Sequence, residues 1–188
     1  MKKIILASGS PRRKQLLEWA EIPFEIVVRE TTETFPAGLQ VEEVAIHVAR
    51  QKAVAVQSLV SSDSIILAAD TIVVLDGKII GKPKNRQDAI DILSALSGHQ
   101  HRVITGVVIV FRKNEISFSD STSVYFHELS STQIAFYVDK YKPYDKAGAY
   151  AIQEWIGVVG IKSVQGDFYN VMGLPVSRVV KELEKMGG

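Results

Sequence analysis

The spacing of apolar residues predicts that strands and helices alternate along the first half of the chain. Short apolar runs bounded by polar residues are typical of buried strands, whereas apolar residues three and four positions apart are typical of amphipathic helices. Strands are predicted at residues 4–7 and 24–28, and a longer apolar run covers residues 64–75. Helices are predicted at residues 11–20 and 41–60, with a polar loop over residues 29–39.

The second half of the chain adds a pair of strands between helices. Asp76 and Gly77 form a strong hairpin-turn signal after the long apolar run. Helices are predicted at residues 85–96, 130–141 and 175–186, the first with Asn85 as its N-cap. Strands are predicted at residues 102–111, 116–126 and 156–164. This order predicts one α/β domain over residues 1–188, in which helices pack around a mixed β-sheet.

Composition narrows the classes of function. The net charge of +1 argues against a surface that coats a polyanion, so we expect no nucleic-acid partner. Because the chain has no cysteine, disulfides, thiol catalysis and cysteine-based zinc sites are excluded. The N-terminus lacks a signal-peptide core, and no apolar run approaches membrane-spanning length. We therefore expect no membrane partner and a cytoplasmic location.

The segment from Ser8 to Arg13 is the first candidate for chemistry. Ser10 is the natural N-cap of a helix that begins at Pro11, where a missing N–H costs nothing. Arg12 and Arg13 then place positive charge at a helix end that already favours anions. Free N–H groups and clustered cations predict a phosphate site on this segment. A solvated, cationic helix start is the alternative that the segment alone leaves open.

Two charged residues interrupt patterns that should be apolar. Lys52 has apolar neighbours three and four positions to either side, so it lies on the face of its helix that should meet the core. Its side chain could reach along that face to water, or its ammonium could enter a cleft at the edge of the core. Asp70 interrupts the apolar run, and a buried carboxylate needs a cation or a metal. The alternative is a bend or turn between two strands, where aspartate is common.

Three further residues are weaker candidates. Lys82 precedes Pro83 in a constrained turn, from which it could reach a phosphate or simply lie exposed. The amide of Gln153 can donate and accept at once, which suits the imide edge of uracil or thymine, but the residue could equally be structural. Glu33, in the polar loop, could join Asp70 on a divalent ion or remain solvated.

Taken in order, these segments resemble the Maf family of nucleoside triphosphate pyrophosphatases, also called septum-formation-inhibitor-like proteins. The matching segments are Leu6-Ala7-Ser8-Gly9-Ser10-Pro11-Arg12-Arg13, Glu33, Gln51-Lys52-Ala53, Ala69-Asp70-Thr71, Gly81-Lys82-Pro83, Leu96-Ser97-Gly98, Asp145-Lys146-Ala147-Gly148-Ala149-Tyr150 and Tyr169-Asn170-Val171-Met172-Gly173-Leu174-Pro175. They span nearly the whole chain, and the ordered set is far more specific than any single member.

The resemblance implies a single domain with a long twisted mixed sheet, similar to that of the inosine triphosphatases, and a homodimer. It implies hydrolysis of a nucleoside triphosphate to monophosphate and pyrophosphate with a divalent metal, Mg²⁺ or Mn²⁺. The catalytic acid falls on Asp70, which with Glu33 would hold the metal. The triphosphate would lie over the segment from Ser8 to Arg13, which includes Ser10. Its cationic ligands fall on Arg12, Arg13, Lys52 and Lys82.

The sequence around Gln153 resembles the branch of the family that acts on dTTP and UTP. In that branch Arg12, Thr71 and Gln153 occupy specificity positions. Here Glu154-Trp155-Ile156 replaces the small, glycine-rich stretch that usually follows the glutamine. Two other functions stay open: a nucleotide-binding regulator of cell division without essential catalysis, and a phosphohydrolase that removes a different phosphate.

Overall fold

Seven helices and seven strands make up the computed structural model, which describes residues 2–186. The strands are β1 Ile4–Leu6, β2 Phe24–Ile26, β3 Ile65–Leu75, β4 Lys78–Ile80, β5 Gln100–Phe111, β6 Asn114–Phe126 and β7 Ile161–Gln165. The helices are α1 Pro11–Trp19, α2 Val41–Gln57, α3 Arg86–Leu96, α4 Ser131–Tyr141, α5 Trp155–Gly160, α6 Phe168–Met172 and α7 Val176–Lys185. A short 3₁₀ turn covers Ala147–Ala149.

The strands form one mixed sheet in the order β2-β1-β3-β5-β6-β7, and β4 pairs with β3 outside this path. β1 runs parallel to both β2 and β3, as expected for strands joined through helices. β3 and β4 are antiparallel about the predicted turn, and β6 and β7 are antiparallel as well. The prediction of an α/β fold built on a mixed sheet with helices is therefore confirmed.

The chain divides into two compact units. The first contains the residues through Thr71, Thr105–Asp120 and the residues from Gly173 onward. The second contains Ile72–Ile104 and Ser121–Met172. The prediction of one domain over the full length stays a prediction.

Small residues bring α2 close to the sheet in the first unit. A Cβ built on Gly106 of β5 would lie 2.3 Å from the backbone of Ala45 and Ile46, so only glycine fits there. Ala49 and Ala53 form a core cluster with Ala7, just after β1, and with apolar side chains of β3 and β5. This packing fixes the position of α2 and hence of every side chain that α2 carries.

Helix starts in the second unit follow the predicted chemistry. The side chain of Asn85 accepts a hydrogen bond from the N–H of Asp88 and caps α3, as predicted. At α4, Ser130 and Gln133 form a reciprocal capping box. Both helices therefore begin where their sequences specify.

The predicted strand at residues 156–164 is wrong in its first half. Residues Trp155–Gly160 form α5, and the strand begins only at Ile161. The β-branched residues favoured a strand, but Val158 is 83% exposed while Ile156 and Gly160, one helical turn apart, are buried. Tertiary packing of those two positions overrides the local preference for a strand.

The structure excludes a bend or turn at Asp70, which was the alternative to a buried carboxylate. Asp70 lies inside the continuous strand β3 and not at a bend or between two strands. The short strand β4 and the 3₁₀ turn were not predicted. Within residues 2–186, no helix combines the length and the apolar character that a membrane crossing requires.

Candidate functional site

Arg13 ties together three parts of the first unit. The residue is 8% exposed, and its Nε donates to the carbonyl oxygen of Gly173 at 2.8 Å. Its two terminal nitrogens donate to Ser8 Oγ and Thr71 Oγ1, each at 3.0 Å. Burial lowers the pKa of Arg13 from its ordinary value. The guanidinium therefore holds the loop before α1, strand β3 and the segment before α7 in one arrangement.

The start of α1 keeps the features that predicted a phosphate site. Ser10 is the N-cap residue, but its side chain makes no capping hydrogen bond. Its N–H donates instead to Ser8 Oγ at 3.3 Å, which folds the loop back on itself. Pro11 is the first helical residue, and the first turn contains no acidic side chain. Arg12 is half-buried beside it. With no acidic side chain in its first turn, this helix end could hold an anion, and the phosphate site stays a prediction.

Lys52 reaches two carboxylates. Its Nζ lies 2.6 Å from Asp70 Oδ1 and 2.9 Å from Glu33 Oε1. The Lys52 and Asp70 side chains are 17% and 15% exposed, whereas that of Glu33 is 44% exposed. The ammonium of Lys52 is thus the counter-charge of the Asp70 carboxylate. The Lys52 side chain ends in this ion pair and not in water. The charges of Asp70 and Glu33 also raise the pKa of Arg13, against the larger effect of its burial.

Thr71 belongs to the hydrogen-bonded cluster around Arg13 and is the chain neighbour of Asp70 in the ion-paired cluster around Lys52. Its Oγ1 accepts from Arg13, and it lies 2.9 Å from Thr105 Oγ1 on β5 and 3.5 Å from the Gly173 carbonyl oxygen. Because Thr71 directly follows Asp70 on β3, the side chains of these two residues leave opposite faces of the strand. The hydroxyl network therefore fixes the strand from the face opposite to the carboxylate.

Glu33 is held in an uncommon backbone conformation. Its φ is +49°, a region that glycine and asparagine enter readily and other residues seldom do. The neighbouring backbone is held to α2, because Gln51 Nε2 donates to the carbonyl oxygen of Thr34 at 2.7 Å. This bond holds the loop beside α2, where Glu33 contacts the same ammonium of Lys52 that Asp70 contacts.

The donor set fits a magnesium or manganese ion. Both ions prefer oxygen ligands, and magnesium commonly takes one or two carboxylates and completes its shell with water and substrate phosphate. Glu33 and Asp70 supply two carboxylates that share one ammonium. Among residues 2–186, no group of three or more His, Asp or Glu side chains is placed to hold a metal by itself. Glu33 and Asp70 are therefore the residues of this cluster that could hold such an ion.

Lys82 and Gln153 belong to the second unit. Lys82 is exposed just after β4, and the Gly81 carbonyl oxygen beside it accepts from the N–H of Gly148 at 3.2 Å. Gln153 is exposed in a turn before α5. In the first unit, the structure thus places Ser8, Arg13 and Thr71 in one cluster and Lys52, Glu33 and Asp70 in another. Lys82 and Gln153 lie in the second unit.

Two contributors to the site were missed by sequence reasoning. Thr105 interrupts the apolar run of β5, a signal of the same kind as the one that identified Asp70. Gly173 has a φ of +122°, and its carbonyl oxygen accepts from Arg13 across 160 residues of chain. No local sequence pattern predicts that a particular backbone carbonyl will accept such a hydrogen bond.

A groove of about 450 Å³ lies elsewhere on the first unit. The residues that line it are Thr31 and Thr32 and, on α2, His47, Arg50, Gln51, Val54 and Ala55. Lys52 and Asp70 are not part of its lining, so the groove and the ion-paired cluster are distinct features.

Known proteins resemble this chain over nearly its whole length. The family model described as "Maf-like protein" matches residues 3–186. A protein of Cytophaga hutchinsonii named "dTTP/UTP pyrophosphatase" is 54% identical over 183 residues, 97% of this chain and 84% of the relative. A Bacteroides fragilis protein of the same name is 45% identical over 185 residues, 98% of this chain and 96% of the relative.

Solved structures give a more distant likeness. The Ham1 protein of Staphylococcus aureus has a TM-score of 0.47 and 13% identity, covering 68% of this chain and 73% of its own. Extended similarity to the relatives and the family model agrees with the resemblance carried by the segments from Leu6 to Pro175. The chain belongs to the Maf-like protein family.

Proposed function

We propose that this protein hydrolyses nucleoside triphosphates, dTTP and UTP in particular, to nucleoside monophosphate and pyrophosphate. The observation that carries the proposal is the cluster in which Lys52 holds Asp70 and Glu33 together. Relatives at 45–54% identity are named dTTP/UTP pyrophosphatases, which supports this choice of substrates. House-cleaning of the nucleotide pool, which would include removal of modified pyrimidine nucleotides, is the corresponding cellular role.

In the proposed reaction a water molecule attacks the α-phosphorus. A new P–O bond forms to the water oxygen, the bond from the α-phosphorus to the bridging oxygen breaks, and pyrophosphate leaves with that oxygen. Asp70 orients the water and accepts its proton through the carboxylate oxygen that does not contact Lys52. Lys52 keeps this carboxylate in place and adds positive charge near the phosphate.

Phosphate binding is assigned to the start of α1 and to the cationic side chains. The N–H groups after Ser10 and the guanidinium of Arg12 would meet the phosphate oxygens. Arg13 already donates three hydrogen bonds within the protein, so its contribution is chiefly to hold this loop, and its positive charge would also favour the phosphate. Lys82 would add a further cation.

A divalent ion completes the proposal. Glu33 and Asp70 would hold Mg²⁺ or Mn²⁺, and the bound ion would neutralise charge on the phosphate oxygens. Because the cluster has only two carboxylates, we expect the ion to bind weakly without nucleotide. The pyrimidine is assigned to Gln153, whose amide matches a donor–acceptor edge, with Arg12 and Thr71 as further specificity positions.

The decisive experiment separates the products formed from a panel of nucleoside triphosphates. Monophosphate with pyrophosphate supports the proposal, whereas diphosphate with inorganic phosphate indicates a different phosphohydrolase. Binding without turnover would favour a nucleotide-dependent regulator. Asp70→Asn, which keeps the shape of the side chain, should lower turnover about 10²–10⁴-fold. Full activity in that variant would remove Asp70 from the mechanism.

The proposal extends to assembly and location. A homodimer rests on the family resemblance alone, and scattering measurements of the purified chain would test it. We also propose a cytoplasmic location, which cell fractionation would test.

A further inference from the structure

Gln153 lies at the tip of a tight turn whose flanks are buried. The N–H of Glu154 donates to the carbonyl oxygen of Ala151 at 3.1 Å, which makes Ile152 and Gln153 the two central residues of the turn. Ala151 and Ile152 are buried, but Gln153 is exposed. The exposed amide is therefore carried by a backbone that packs into the second unit.

One hydroxyl group holds this turn from both sides. Tyr137 on α4 is fully buried, and its hydroxyl accepts a hydrogen bond from the N–H of Ala151 at 3.2 Å. The same hydroxyl donates to a carboxylate oxygen of Glu154. Ala151 lies two positions before Gln153, and Glu154 lies one position after it. A single group thus fixes the entry and the exit of the turn.

The remaining contacts of the turn hold the same arrangement. Lys146 Nζ lies 3.6 Å from the other carboxylate oxygen of Glu154, whose side chain is 22% exposed. A Cβ built on Gly157 would lie 1.7 Å from the carbonyl oxygen of Ile152, so the first turn of α5 rests directly against the turn. The Gly157 N–H also donates to the Glu154 carbonyl oxygen at 2.9 Å.

We propose that Tyr137 is a positioning residue for pyrimidine recognition: its hydroxyl, bonded to Ala151 and Glu154, fixes the turn from which Gln153 presents its amide to the base. The inference rests on the proposed function, in which Gln153 reads the base. A recognition group discriminates between bases only when its own position is fixed by supporting contacts. An exposed glutamine on a loose turn would follow the base and lose that selectivity.

This role makes sense of the residues after Gln153. The acidic side chain of Glu154 replaces the small residue that the resemblance leads one to expect. It provides the acceptor for the Tyr137 hydroxyl and the partner for Lys146. Glu154 and Tyr137 therefore act as one support, and the departure from the family pattern is a different way of fixing the same turn.

The test compares the catalytic efficiency, kcat/KM, for UTP with that for CTP, whose base presents the opposite pattern of donor and acceptor. In Tyr137→Phe we expect the UTP-to-CTP ratio to fall about tenfold, the effect of losing one well-placed hydrogen bond to the base. The change should appear mainly as a higher KM for UTP, because the reacting phosphate is not touched.

Tyr141→Phe is the matched control. Its ring stacks on that of Tyr137 at 4.9 Å, and it lies one helical turn along α4, so it loses a hydroxyl of the same kind without touching the turn. Its UTP-to-CTP ratio should equal that of the parent protein. A fall in both variants alike would mean that damage to α4, and not positioning, causes the effect.

A second pair of variants keeps the test decisive if Tyr137→Phe folds poorly. Glu154→Ala removes the other end of the hydrogen bond from a partly exposed position and should also lower the UTP-to-CTP ratio. Glu154→Gln keeps an oxygen that accepts from Tyr137 and should lose much less.

Three results would overturn the inference. They are a UTP-to-CTP ratio that is unchanged in Tyr137→Phe, an equal fall of that ratio in Tyr141→Phe, and a parent protein that shows no preference for UTP. A parent protein that releases no pyrophosphate at all would instead refute the proposed function, and this inference with it.

Discussion

Replacing Arg13 by lysine tests the claim that this residue holds the first unit together. The guanidinium donates to Gly173, Ser8 and Thr71 from three different nitrogens. A lysine ammonium keeps the charge, but it is a single point of donation on a differently shaped side chain. It can reach at most one of the three acceptors in its original position.

The magnitude follows from the number of hydrogen bonds lost. A hydrogen bond to a charged group contributes about 1.5–3 kcal/mol, so two lost bonds lower the free energy of unfolding by about 3 kcal/mol or more. For a chain of this size, that corresponds to a fall in melting temperature of roughly 6–12 °C. The Gly173 carbonyl oxygen, which loses a buried partner, accounts for part of this cost.

Urea unfolding followed by circular dichroism, together with calorimetry, would measure the effect. Lys14→Ala is the control, because Lys14 is its neighbour on α1 and its ion pair with Glu18 is exposed. Such pairs contribute about 0.2–1 kcal/mol. If Arg13→Lys unfolds within about 1 kcal/mol of the parent protein, the three contacts do not stabilise the unit, and the argument from them fails.

Three other predictions concern α2 and the buried histidine. Lys52→Met leaves two carboxylates without their shared cation and should cost about 1–3 kcal/mol in urea unfolding, and adding Asp70→Asn should recover part of the loss; an additive double variant would contradict the pairing. Gly106→Ala should push α2 from β5, costing about 1–3 kcal/mol and lowering turnover, so parental stability would argue against the close approach. Burial lowers the pKa of His101 to about 4, so the unfolded chain binds more protons below pH 6.5 and stability should fall by about 2 kcal/mol between pH 7 and 5. His101→Gln should flatten that part of the pH profile, and an equally steep profile would assign the loss to other groups.

Most of the fold was predictable because the sequence pattern within each of the early helices and strands is enough to identify it. The strand at β1, the helix at α2 and the cap at Asn85 each follow from a few neighbouring residues. Residues 156–164 were not predictable in this way, because the alternation of Ile, Val and Gly fits a strand and only distant packing selects a helix. Gly157, which rests against the Ile152 carbonyl oxygen, shows the contact that decides it.

The individual residues of the candidate site were also predictable from local patterns, whereas the contacts between them were not. Lys52 and Asp70 were identified separately, because each places a charge in an apolar pattern and therefore needs a partner. That they are partners of each other depends on the packing of α2 against the sheet, which no pattern in either segment contains. The bond from Arg13 to Gly173 is further out of reach, since its acceptor is backbone and every residue carries one.

The left-handed backbone at Glu33 has a consequence for how this protein tolerates change. Glycine or asparagine would occupy that conformation with less strain, so exchanging Glu33 for either should make the loop easier to form. The same exchange would take away one of the two carboxylates that contact Lys52. A substitution that eases the backbone at this position therefore removes an ion-pair partner of Lys52, so loop stability and this contact cannot be improved together.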